Sequence, residues 1–127
     1  MSPIIKILLI GTGGFTGAVL RYITSGLMHR VLNGSSIFPY GTFLVNITGC
    51  LAIGVLTGLA DSRLLFTPGI RLFVFIGLLG GFTTFSTFGI ESFYLIQQKQ
   101  FLLFGLNIFG QVFVGLIAVW LGYTIVN

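Results

Sequence analysis

Four long apolar runs, parted by three short polar breaks, set the pattern of this chain. The runs cover about Ile4–Leu32, Gly41–Ala60, Gly69–Ile96 and Phe101–Val126. The breaks are Asn33-Gly34-Ser35-Ser36 followed by Pro39, then Asp61-Ser62-Arg63 with Pro68-Gly69, then Gln97-Gln98-Lys99-Gln100. Glycine, proline and clustered polar side chains end helices and make turns. Each run has the ~20 residues a helix needs to cross the hydrocarbon core of a bilayer. The pattern predicts an all-α membrane protein: a single four-span domain over residues 1–127, with no soluble domain or linker. The first and third runs exceed a perpendicular span, and tilting, protruding ends or a break would absorb the excess.

Composition agrees. The chain is 55% hydrophobic and 6% charged, with mean hydropathy +1.09, whereas a soluble domain carries about 25% charged residues. The net charge of +4 comes from Lys6, Arg21, Arg30, Arg63, Arg71 and Lys99. These bases form no run, so no nucleic-acid partner is expected. They read as anchors whose heads snorkel toward water. The N-terminal run follows Lys6 as a signal peptide's would, but it is long, passes through Arg21 and lacks an A-x-A site, so it is expected to stay on the chain. Cys50 stands alone, giving neither a disulfide framework nor a zinc spacing. His29 has no companion ligand. The only acids are Asp61 and Glu91, so no catalytic pair is visible and an enzyme is not expected.

Orientation in a bilayer follows Lys and Arg near the span ends. With four spans, both termini share a side. That side holds Lys6, Arg63 and Arg71, and the other holds Arg30, Lys99 and Arg21. A tally of three against three leaves single and dual insertion both open. Dual insertion would make a twofold antiparallel homodimer available. An oligomer is expected independently, because four short helices cannot easily enclose a pore and also shield its polar lining from lipid. The spacings Gly13/Gly17, Gly54/Gly58 and Gly77/Gly81 fit close helix contacts.

The third run contains the segment that a lipid-facing helix has least use for: Gly80-Gly81-Phe82-Thr83-Thr84-Phe85-Ser86-Thr87-Phe88-Gly89. Non-helical backbone at membrane depth is tolerated only where protein covers it or where it lines a cavity. We therefore expect the third helix to be broken mid-span. A broken helix presents carbonyls at one end, which suit a cation, and N–H groups at the other, which suit an anion. Thr83, Thr84, Ser86 and Thr87 add hydroxyls. Phe85 and Phe88 lie three apart and share a helical face, with Phe82 able to extend the row. A phenyl ring is positive at its edge, so an edge can meet a small anion without trapping it.

Other polar residues lie deep in the spans. Asn46 in the second run can donate two hydrogen bonds, and a polar side chain at that depth faces the bundle interior or a cavity. Asn107 and Gln111 are four apart in the fourth run and form a polar stripe with Gly115 one turn on, consistent with a wet groove. Arg21 is placed to pair with a carbonyl or to raise the local potential for an anion. Glu91, one turn beyond Phe88, is placed to bond backbone groups freed near the break.

These residues resemble the Fluc/CrcB fluoride channels over essentially the whole length. The matching pieces are Gly13-Gly14-Phe15-Thr16-Gly17-Ala18-Val19-Leu20-Arg21-Tyr22, Gly41-Thr42-Phe43-Leu44-Val45-Asn46 and Gly80 through Phe88. The resemblance implies a dual-topology antiparallel homodimer in the bacterial cytoplasmic (inner) membrane, with two fluoride pores. It implies that Phe85 and Phe88 line each pore by their ring edges, that Asn46 meets fluoride, and that Ser86 and Thr87 add hydroxyls along the path. It further implies a structural sodium ion (Na+) at the dimer centre, held by the backbone carbonyls of Gly80 and Thr83 of both subunits. The chain departs from the family in its fourth span, where Asn107, Gln111 and Gly115 stand in place of a tyrosine and small hydroxyl residues. Two rivals are a small proton-coupled multidrug exporter, which wants a carboxylate deep in the first span where this chain has none, and a non-transporting membrane scaffold.

Overall fold

The computed structural model describes residues 1–32, 34–63 and 66–127. They form four helices long and apolar enough to cross a membrane: Pro3–Val31, Tyr40–Arg63, Pro68–Gln97 and Phe101–Val126. Among the described residues there is no strand. The helix starts follow local chemistry. Ser2 caps the first helix by accepting from the Ile5 N–H at 3.3 Å, and Thr67 caps the third by accepting from the Ile70 N–H at 3.3 Å. Each cap is followed by a proline in the first turn, where its missing N–H has no intrahelical partner to lose. The third and fourth helices join through a turn in which Lys99 takes a positive φ of 57°. There the Gln98, Lys99 and Gln100 N–H groups donate to the carbonyls of Tyr94, Ile96 and Leu95.

The helices associate in two pairs, the first with the N-terminal part of the third and the second with the fourth. In both pairs the residue order runs the same way along the two partners, so each pair is parallel. Glycines set the separation. A Cβ on Gly13 or Gly17 would strike the Phe73 or Leu78 carbonyl, and one on Gly81 would lie 2.5 Å from the Gly14 carbonyl oxygen. In the second pair, a Cβ on Gly54 would strike the Val119 carbonyl, and one on Gly58 would come within 2.8 Å of the Tyr123 carbonyl oxygen. Without side chains in the way, backbones approach closely enough for dense van der Waals contact, the main adhesive between helices in lipid. All six glycines of the three sequence spacings sit at such contacts.

Side-chain burial within one chain is small. The most apolar stretch of each helix is only 11 to 28% buried. Leu102, Ile125, Phe15 and many others stand exposed. In water this surface would drive aggregation; in a bilayer it is the lipid-facing or partner-facing side. The chain is a multi-pass membrane protein.

The third helix changes geometry along its length. Leu72–Leu79 forms wide π-helical turns, Gly80–Phe82 one α-helical turn, and Phe85–Gln97 a regular α-helix. Between the last two, Thr83 (φ −82°, ψ 157°) and Thr84 (φ −148°, ψ 121°) are extended. β-Branched residues favour that region and tolerate helix less well.

Candidate functional site

Two extended residues in a helix release backbone groups, and these must find partners in a medium without water. In a continuous helix the Thr84 N–H would donate to the Gly80 carbonyl. Here it donates to Asn46 Oδ1 at 2.9 Å. The Thr87 N–H would reach the Thr83 carbonyl. It donates instead to Thr84 Oγ1 at 3.3 Å, so Thr84 caps the helix that begins at Phe85. Arg21 Nη1 donates to the freed Thr83 carbonyl at 3.4 Å. The Thr84 carbonyl accepts from Asn46 Nδ2 at 3.0 Å. Asn46 thus pairs with both backbone groups of one residue, much as a neighbouring strand would. The second helix can come this close because Gly49 has no side chain where Thr83 Cγ2 lies.

The orientation of every amide beyond this point follows from that pairing. Since Oδ1 of Asn46 must face the Thr84 N–H, Nδ2 faces the fourth helix, where it donates to Gln111 Oε1 at 2.6 Å. Gln111 Nε2 then donates to Asn107 Oδ1 at 2.9 Å, and Asn107 Nδ2 to Ser92 Oγ at 2.9 Å. Ser92 closes the series by donating to the Phe88 carbonyl at 2.7 Å. Asn107 is completely buried; it supports Gln111 from below. Gln111 belongs to a π-helical stretch, Gly110–Val114. Such wide turns recur where a helix must re-aim side chains.

Asn46, Gln111, Thr83, Thr84, Phe85 and Phe88 share an open groove of about 400 Å³, whose lining residues include no charged side chain. The Phe85 and Phe88 rings lie 5.7 Å apart at 44°. Phe85 is 83% exposed, so within one chain its ring has a single packed side. Thr87 Oγ1 accepts from Thr84 Oγ1 at 3.0 Å, while Ser86, exposed, lies 3.5 Å from the same hydroxyl. Gly80 opens onto the groove as well.

Glu91 does not bond the freed backbone groups near Thr83 and Thr84. It faces a second cavity of about 370 Å³, shared with Thr42, Ser25, His29, Tyr94 and Gln98. One carboxylate oxygen accepts from Thr42 Oγ1 at 2.9 Å. The other is buried with no partner among the described residues. Three residues past Phe88, the Glu91 side chain is turned toward Thr42 at the start of the second helix. Sequence reasoning passed over Ser92 and Thr42. A lone hydroxyl in a helix ordinarily bonds its own backbone, and Ser92 does so with the Phe88 carbonyl. The available signal was that Ser92 follows Phe88 by four residues, on the flank facing Asn107.

This groove brings two amide side chains, two threonine hydroxyls and two phenyl rings together, with no fixed charge to hold an ion. A Nitratidesulfovibrio vulgaris protein (strain Miyazaki F) is 44% identical over 92% of this chain and 93% of its own length. One from Maridesulfovibrio salexigens is 46% identical over 87% of this chain and 86% of its own length. Both are named fluoride-specific ion channel FluC. A Methanosarcina barkeri protein, 40% identical over 94% of this chain and 88% of its own length, is named fluoride-specific ion channel FluC 3. Residues 8–123, from the first helix to the last turns of the fourth, match the family described as CrcB-like protein, Camphor Resistance (CrcB), and the chain belongs to it.

Proposed function

We propose that this protein is a fluoride-specific ion channel that lets cytoplasmic fluoride leave a bacterial cell passively across the inner membrane. The observation that carries the reading is the uncharged groove beside Thr83 and Thr84, where the Asn46 and Gln111 amides meet the Phe85 and Phe88 rings, in a chain so similar to proteins named for fluoride. Fluoride is small and tightly hydrated, so a path must offer several hydrogen-bond donors in place of water. Conduction also requires binding weak enough to release the ion. An inside-negative potential drives an anion outward by about 2.3 kcal/mol per 100 mV. No energy source within the protein is needed, and the result is protection from fluoride toxicity.

In this reading the interruption of the third helix is the functional break. Phe85 and Phe88 present ring edges to the ion, Asn46 an amide, and Ser86 and Thr87 hydroxyls. Gln111 faces the path and Asn107 holds it. The pore is completed by a second, antiparallel copy. The exposed Phe85 ring and the open side of the groove support this. The Gly80 and Thr83 carbonyls have lost their helical partners, and their oxygens suit a hard monovalent cation. Arg21 already donates to Thr83 at long range; a carbonyl oxygen has two lone pairs, so one remains. We infer that these two carbonyls and their counterparts in the partner copy hold a structural sodium ion, which would tie the two interruptions together electrostatically.

The test is passive anion efflux from proteoliposomes under a potassium–valinomycin potential. Fast fluoride efflux without chloride leak is the expected result. No fluoride flux from folded, dimeric protein would sink the channel reading. A proton-coupled exporter would instead need a titrating carboxylate deep in the spans, for which Glu91 is the candidate, since Asp61 stands in the last turn of the second helix.

A further inference from the structure

Counting protons on Asn46 exposes a conflict with its role as a fluoride ligand. The side-chain amide has two N–H groups. One donates to the Thr84 carbonyl at 3.0 Å and the other to Gln111 Oε1 at 2.6 Å. Neither is free. The Thr84 partner is backbone, pinned by the paired bond from the Thr84 N–H to Asn46 Oδ1. The Gln111 partner is the end of a flexible side chain. An anion that reaches Asn46 from the groove must therefore displace Gln111 Oε1.

We propose that Gln111 is a specificity-determining gate residue whose amide oxygen stands in for the transported anion, occupying the Asn46 proton that fluoride takes in transit. The inference rests on the reading that Asn46 meets fluoride. Three observations support it. Gln111 Oε1 is the part of that side chain in contact with Asn46, a neutral oxygen at a hydrogen-bond distance short enough for a small anion. Gln111 lines the groove rather than the interior. Its Nε2 is tethered to Asn107, which is fully buried and itself held by Ser92. The anchor stays while the oxygen swings, so the gate has a fixed position to return to. A larger, weakly hydrogen-bonding anion such as chloride gains too little at one amide proton to displace the tethered oxygen.

The experiment compares fluoride efflux from proteoliposomes over a range of internal fluoride, for the wild type and for Gln111→Met. Methionine keeps the length and volume but carries no oxygen. Removing a competing hydrogen bond of ordinary net strength should lower the half-saturating fluoride concentration by roughly three- to tenfold. An unchanged or raised value in transporting protein would overturn the proposal, since Gln111 would then be a bystander or a ligand. Absent flux from the wild type is a different result; it removes the channel reading and this inference with it. Should Gln111→Met not fold, the wild type alone decides. In protein labelled with ¹⁵N at asparagine and glutamine, titration with fluoride should move the side-chain amide signals of Asn46 and Gln111 together and saturably, and chloride should move neither. Fluoride shifts at Asn46 with Gln111 unmoved would overturn the gate.

Discussion

The second and fourth helices meet by two different kinds of contact, one at each end of the same parallel pair. Toward their C-terminal ends the contact is backbone on backbone. Gly54 lies against Val119, Gly58 against Tyr123, and a Cβ on Gly122 would sit 2.5 Å from the Leu51 carbonyl oxygen. Toward their N-terminal ends it is a series of amides, from Asn46 through Gln111 to Asn107. The glycine end is dry and has one way to pack. The amide end holds through bonds that can exchange partners. The two ends therefore divide the work between them. The rigid contact fixes the helix separation, so the polar one can open for an ion without the helices parting.

The glycine end is the less tolerant of the two. Gly54→Leu puts a branched side chain into the Val119 backbone, where no rotamer has room. Over-packing by a few methylenes already costs ~1–3 kcal/mol, and a collision with backbone leaves no relaxation short of separating the helices. The expected outcome is no monodisperse protein on size exclusion in detergent. A folded Gly54→Leu variant with normal flux would show that the pair is not held there.

At the groove the expected loss is functional and not structural. Phe85→Ile removes the ring but keeps a branched apolar side chain at a position that packs little within its own chain, so the elution profile should match the wild type. Fluoride efflux should fall by about tenfold or more, which corresponds to ~1.4 kcal/mol in the barrier. Full flux in this variant would take Phe85 off the path. Ser92→Ala tests the far end of the amide series. It leaves the buried Asn107 Nδ2 without its acceptor, at a cost of about 1–3 kcal/mol. A lowered thermal midpoint is expected while fluoride transport persists; equal midpoints would mean that Asn107 finds another partner.

The two ends were not equally legible in the sequence. Four helices could be read because lipid permits little else for long apolar runs. The glycine spacings could be read because i, i+4 pairs mark a helical face, although each pair's opposite partner could not. The amide stripe of Asn107 and Gln111 showed as a periodicity, but a stripe does not say which member faces the groove. Only the folded packing decides that: Gln111 lines the groove and Asn107 is buried. Arg21 and Thr83 lie 62 residues apart, and nothing local announces their contact. Thr84 was visible only as one hydroxyl among several; its role as cap and as partner of Asn46 needed the extended backbone that the threonines adopt together.

Glu91 lies outside both kinds of contact between the second and fourth helices. Glu91 accepts from Thr42 at the edge of the second cavity, away from the Asn46–Gln111 contact. A glutamine there keeps an oxygen that can accept from Thr42 and removes the formal charge. If ions pass through the groove and the amide end opens for them, Glu91→Gln should change fluoride efflux by no more than about twofold, the scale of a net hydrogen-bond difference of ~0.5 kcal/mol. If transport is instead coupled to a proton carried by Glu91, the same substitution abolishes it, while Phe85→Ile spares it. The two variants measured side by side therefore separate a groove that conducts from a carboxylate that exchanges, because each reading predicts loss in the variant that the other leaves active.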